Sequence, residues 1–213
     1  MSRTTVTGSR EAQKLRTRQA MLDAALDLLE EQSLSSLGLR EVTRAVGVTP
    51  TAFYRHFRDI EDLGVALVHQ ALGNLHTLVR ATLVEHDDVG DRIDHTVALI
   101  ERHVRAHPAH LRFLVRERHG GVRAVRLAIA EQLDRFVREL AAVLALEEMS
   151  EGWSESELEM LAGLLVDQMV LAVSAFLSAM LDEGPSAPEV AAATGLRLRL
   201  IHLGRAASGR RAP

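Results

Sequence analysis

The sequence predicts an all-α protein, with an N-terminal three-helix unit containing a helix-turn-helix and a larger C-terminal helical domain. Apolar residues recur at helical spacing along all 213 residues, β-branched runs are short, and aromatics make up only 3%. Between Leu39 and Phe57, a glycine and a Thr-Pro pair separate two short amphipathic stretches. Near the C-terminus, Leu158 to Leu181 is apolar almost all round, and such a helix needs packing partners on every side.

The elements follow in order. Helix one is predicted from about Glu11 to Gln32, burying Ala20, Met21, Ala24, Leu28 and Leu29, and it ends in the loop at Ser33 to Ser36. From Leu39 to Val46, the residues Leu39, Val42 and Val46 share one face, while Arg40, Glu41 and Arg44 share the other. Gly47 ends this helix, because glycine takes the left-handed backbone of a helix terminus at little steric cost. Thr49 then serves as N-cap and Pro50 as first helical residue of a second helix running to about Phe57. Phe53 and Phe57 face inward and Ala52 allows close approach of the first helix. The exposed polar set is Thr49, Thr51, Tyr54, Arg55 and His56.

Two helices joined this way present the second to a DNA major groove, N-terminal residues toward the base edges. Thr51 suits a thymine methyl or a base acceptor, and Tyr54, Arg55 and His56 suit phosphates or a guanine edge. Net charge is −4, but it is unevenly placed: residues 1–58 hold nine Lys/Arg against six Asp/Glu, a balance of +3, leaving −7 for the other 155 residues. Arg3, Arg10, Lys14, Arg16 and Arg18 form a basic arm ahead of the motif, and Arg40 lies on the outer face of its first helix. Such cations neutralise phosphates and make binding salt-dependent, so double-stranded DNA is the expected partner.

Downstream, Asp59 caps a helix predicted to reach about His86, with Glu61 and Asp62 suited to its positive end. A break at Asp87 to Gly90 precedes a helix from Asp91 to Ala106, which His107-Pro108 interrupts. A short helix runs from Ala109 to about Arg118, and Gly120-Gly121 ends it. Val122 to Leu146 is helical with Val125, Ile129, Leu133, Phe136, Val137, Leu140 and Leu144 buried, followed by a loop from Glu147 to Gly152. Ser154 and Glu157 form a capping box for the long apolar helix. Its length suits a membrane span, but an aspartate such as Asp167 near its middle costs about 2.5–3.5 kcal/mol there. A non-membrane helix is expected, one face toward the domain core and another toward a second subunit. The last helix runs from about Ala187 to Ala206.

No cysteine is present and the N-terminus lacks the apolar segment of a signal peptide, so a cytoplasmic protein is expected. His103, His107 and His110 are close in sequence, yet Pro108 interrupts them and no carboxylate ligand is evident, so no metal is expected. Without a nucleophile elbow, an HExxH pattern or a phosphate loop, neither catalysis nor a cofactor is expected.

The segment from Arg16 to Leu67 resembles the TetR family of bacterial repressors, with Gly47, Val48, Tyr54, Phe57 and Leu63 at its most recurrent positions. Two departures are Ile60, where many members carry lysine, and Gly38, where many carry a Ser or Thr cap. Tyr54 to Asp59, His107 to His119 and the arginine-rich helix to Leu144 are similar to that family's repressors of unsaturated fatty-acid synthesis, in which a hydrophobic residue at the position of Ile60 is ordinary. The resemblance implies a homodimer on a palindromic operator with half-sites about 34–36 Å apart. It further implies residues 1–58 as DNA-binding domain and residues 59–213 as effector-binding and dimerisation domain. The implied effector is a hydrophobic small molecule, above all a long-chain acyl-CoA; a drug-like effector controlling an efflux or degradation gene is the nearest alternative, and an all-α enzyme or a protein-binding adaptor the more distant one. Candidate lining residues are Val97, Ile100, Val104, Phe113, Phe136, Leu140, Met160, Leu164, Met169 and Phe176. Arg116 and Arg118 are candidates for the anionic head group near the domain junction, or for ion pairs holding the domains in register.

Overall fold

Nine helices and no strand occur among the described residues of the computed structural model, which are 4–73, 88–147 and 150–208, with side chains described from Arg10 onward. Helix α1 spans Thr4–Leu28. It starts and ends earlier than expected, and its buried stripe is Met21, Leu22, Ala25, Leu26 and Leu29. Ala20, Ala24 and Leu28 are only half-buried. Burial of that stripe sets the register and leaves the polar side to solvent, where Gln19 donates to Asp23 at 2.7 Å.

α2 (Leu39–Val46) and α3 (Pro50–Phe53) are the predicted pair. Gly47 has φ 72°, a left-handed backbone that closes α2 with its N–H on the carbonyls of Thr43 and Arg44. Gly38 has no side chain to cap α2, but Glu41 Oε2 accepts the Gly38 N–H at 2.8 Å, keeping half of a capping box. Thr49 Oγ1 accepts the Ala52 N–H at 3.3 Å, and Pro50 follows at the first helical position. α3 is shorter than predicted. After Phe53 the chain tightens into a turn, with the N–H of His56 on the Phe53 carbonyl at 2.8 Å, which still brings Phe53 and Phe57 to the same core.

α4 spans Ile60–Gly73, and Asp59 Oδ1 accepts the Asp62 N–H at 2.7 Å as expected of its cap. The predicted continuation to His86 and the first residue of the break, Asp87, lie outside the described residues. α5 (Val89–Ala106) starts two residues early because Asp88 caps it, accepting the Asp91 N–H at 2.9 Å. α6 (Pro108–Glu117), α7 (Arg123–Leu144), α8 (Glu155–Met180) and α9 (Ala187–Ser208) complete the chain. The Ser154–Glu157 capping box opens α8.

One continuous core runs from Met21, Phe53 and Leu67 of the N-terminal helices to Phe113, Val125 and Phe176 of the C-terminal ones. A second core of Leu99, Phe136, Leu140, Leu144, Leu161 and Val166 lies at the far end of α7. α7 therefore connects the two. α8 packs against α5, α6, α7 and α9. It is long and apolar enough to cross a membrane by length and composition, but here it is the central helix of a bundle.

Candidate nucleic-acid interface and effector cavity

The sequence of α2, turn and α3 places a small polar surface at the N-terminal end of the molecule. Thr49, Thr51, Tyr54, Arg55 and Arg40 are exposed, Tyr54 at 62% although its ring meets Phe53 edge-on. Arg16 is exposed nearby in sequence on α1, while Arg18 is half-buried, its guanidinium 5.0 Å from the centre of the Phe57 ring. His56 departs from the expected set. It is half-buried beside Phe57, and its Nδ1 is buried without a hydrogen-bond partner among the described residues. Burial first, then the charges of Lys14, Arg18 and Arg55, hold its pKa below the ordinary 6.5. His56 is therefore less exposed than the rest of the expected set, and its imidazole is pushed toward the neutral form.

Arg116 and Arg118, expected near the domain junction, are there but are engaged by protein. Arg116 donates to the Leu29 carbonyl, and Arg118 pairs with Asp167 at 3.6 Å. Arg112 pairs with Glu30 at 2.9 Å, and Glu117, 1% exposed, accepts the Leu34 N–H at 3.1 Å. α6 is thereby fastened to the end of α1 and the loop that follows. The sequence contained no sign of the Glu117 contact, which spans 83 positions.

The expected lining residues divide into three groups. Val97, Ile100, Val104, Phe113, Phe136 and Phe176 are buried in core packing. Met160 and Leu164 are 69% and 50% exposed on the outer face of α8, so they do not face the interior as expected. An all-round apolar helix offers no periodicity from which its inner face can be read. Leu140 and Met169 do line a cavity, together with Ile93, Leu144, Leu161, Leu165, Leu198 and Ile201. It is half open and offers about 80 Å³, room for several water-sized groups. It lies beyond the junction: from Val125, beside α4, α7 climbs 15 residues to Leu140, roughly 22 Å at 1.5 Å per residue.

One end of this cavity is ionic. Glu147 accepts from Arg92 at 2.8 Å and from Arg205 at 2.6 Å. Arg205 is 4% exposed and also reaches the Leu144 carbonyl at 3.3 Å and the Ser150 hydroxyl. Beside them, burial, with Arg205 and Arg92 adding to it, lowers the pKa of His202. Sequence reasoning missed these residues. The available signal was the register of α9, where Leu198, Ile201 and Arg205 continue one inward stripe at intervals of three and four. Between α5 and α6, His103 and His107 stand with ring centres 4.9 Å apart and His110 follows, but among the described residues no three such side chains are placed to hold a metal ion.

Comparisons with known proteins agree with this arrangement. Residues 21–67 match the family described as bacterial regulatory proteins, tetR family. Among solved structures, a protein assigned to the TetR-family transcriptional regulators from Syntrophomonas wolfei is similar at 14% identity and TM-score 0.73, over 89% of this chain and 96% of that one. The fatty acid degradation regulator FadR from Bacillus halodurans is similar at 18% identity and TM-score 0.68, over 85% and 94% of the two chains. FadR from Bacillus subtilis, solved in complex with stearoyl-CoA, is similar at 15% identity and TM-score 0.67, over 86% and 96%. Residues 21–67 thus carry the N-terminal module of the tetR family, and the chain as a whole shares the fold of these regulators.

Proposed function

We propose that the protein is a homodimeric transcriptional repressor that binds a palindromic operator and responds to a hydrophobic effector, a fatty acyl-CoA being the class best supported. The observation that carries the DNA-reading part is the Thr49-capped α3, which holds Thr51, Tyr54 and Arg55 exposed on the module matching the tetR family. One such module reads only a few base pairs, so a two-fold pair is needed for a long operator. A surface for pairing is available: Leu164 and Leu171 on α8 and Leu196, Leu200 and Leu203 on α9 are each at least half exposed. The acyl-CoA reading draws support from the fold shared with the two FadR proteins, one of them bound to stearoyl-CoA.

The test is binding of the purified protein to its own upstream DNA, titrated with unsaturated acyl-CoA, saturated acyl-CoA and free CoA. A shift in operator affinity that depends on chain type supports the reading. Specific DNA binding indifferent to all three retains the repressor and rejects acyl-CoA, and salt-insensitive or absent DNA binding rejects both.

A further inference from the structure

We infer that the cavity between α5, α7, α8 and α9 is a site for a small carboxylic acid with an apolar tail, its carboxylate held by Arg92 and Arg205 where Glu147 now lies. The inference rests on reading the helical domain as an effector receiver, but not on the effector being a CoA thioester.

The walls are aliphatic and the charge is confined to one end, which is the division an amphiphilic acid requires. Two guanidiniums share one carboxylate there, and His202 is pushed toward its neutral form, so the described residues lining this end carry an excess of one positive charge. Planar guanidinium donors match a carboxylate in paired geometry. Glu147 stands beyond the end of α7 with its side chain 21% exposed, so it can turn to water when another carboxylate takes its place. Arg92 and Arg205 sit within helices and their side chains are more deeply buried, at 16% and 3% exposed. An acid of modest length matches a cavity of this size.

The experiment is calorimetric titration of the full-length protein with octanoate, octan-1-ol and octanoyl-CoA. Octanoate is expected to bind more tightly than the alcohol of equal length, a comparison requiring no variant. Glu147→Gln removes the competing carboxylate while keeping the side chain's size, and should tighten octanoate about ten-fold or more. Arg92→Gln should weaken it by a similar factor, and neither substitution should move octan-1-ol. Octan-1-ol matching octanoate, or Glu147→Gln leaving octanoate affinity unchanged, overturns the inference. Binding of octanoyl-CoA without octanoate overturns it too, while the acyl-CoA reading stands. Arginine-dependent octanoate binding with no effect on operator affinity upholds the acid site and removes its regulatory role.

Discussion

Glu117, buried in α6, accepts the backbone N–H of Leu34 at 3.1 Å, joining that helix to the loop between α1 and α2. Gly120 allows this, since a Cβ there would lie 2.1 Å from Glu117 Oε2. Removing one partner of a buried hydrogen bond leaves the other unsatisfied, at about 1–3 kcal/mol. Glu117→Ala should lower unfolding free energy by that order in urea denaturation. Glu117→Gln, whose amide oxygen still accepts, should lose less. Equal losses would mean that side-chain volume, not the hydrogen bond, is what matters.

A second contact at the same joint is steric. A Cβ on Gly64 of α4 would fall 2.5 Å from Leu34 Cδ2 and 2.8 Å from Val125 Cγ2. Overpacking of a filled core costs about 1–3 kcal/mol. Gly64→Ala should therefore destabilise despite alanine's better helix propensity, which thermal melts would show as a lowered midpoint.

At the reading head, Tyr54→Ala and Arg55→Ala remove exposed side chains and should leave the melting temperature nearly unchanged while weakening operator binding. Thr49→Ala also removes a cap, a loss of about 0.5–2 kcal/mol. Fluorescence anisotropy across a salt series separates the roles: loss of Arg55 should flatten the slope if it meets a phosphate, and Tyr54 should not. Full operator affinity in both variants would place the reading surface elsewhere.

Leu171 and Leu200, more than half exposed on α8 and α9, are the residues to charge in testing the dimer. Leu171→Glu with Leu200→Glu should give a folded monomer by light scattering and lose operator binding. A persistent dimer would move the interface off this face.

Stability should fall on mild acidification. His103 and His110 have pKa values held below the ordinary 6.5, first by burial and then by neighbouring histidines, with Asp23 partly opposing for His110. A histidine whose folded pKa is depressed protonates first in the unfolded chain. Its stabilising contribution is complete above pH 6.5 and is lost as pH falls from there to the folded pKa. Melting temperatures at pH 7.5 and 5.5 should differ in that direction, and His103→Gln with His110→Gln should narrow the difference.

Much of the fold was legible because local chemistry decides it. Thr49, Pro50 and Gly47 act through their own backbones, so the turn between α2 and α3 is written within a few residues. The same holds for the Asp59 cap and for Ser154 with Glu157 at the start of α8. The end of α3 was less legible, because Phe53 and Phe57 reach one core either from a helix or from the tighter turn observed.

By itself the sequence determined that the chain is all-α, where most helices begin, and that Thr51, Tyr54 and Arg55 stand exposed at the helix-turn-helix, since capping, periodicity and turn chemistry are short-range. Only the tertiary structure decided which side of α8 faces inward, putting Met169 in the cavity and Met160 and Leu164 outside, because a helix apolar all round takes its orientation from its neighbours. It also decided that Arg116 serves the joint, and that Arg92, Glu147 and Arg205 meet at the cavity's end. Those residues lie 55 and 58 positions apart, and charges that far separated become partners only when tertiary packing brings their elements together.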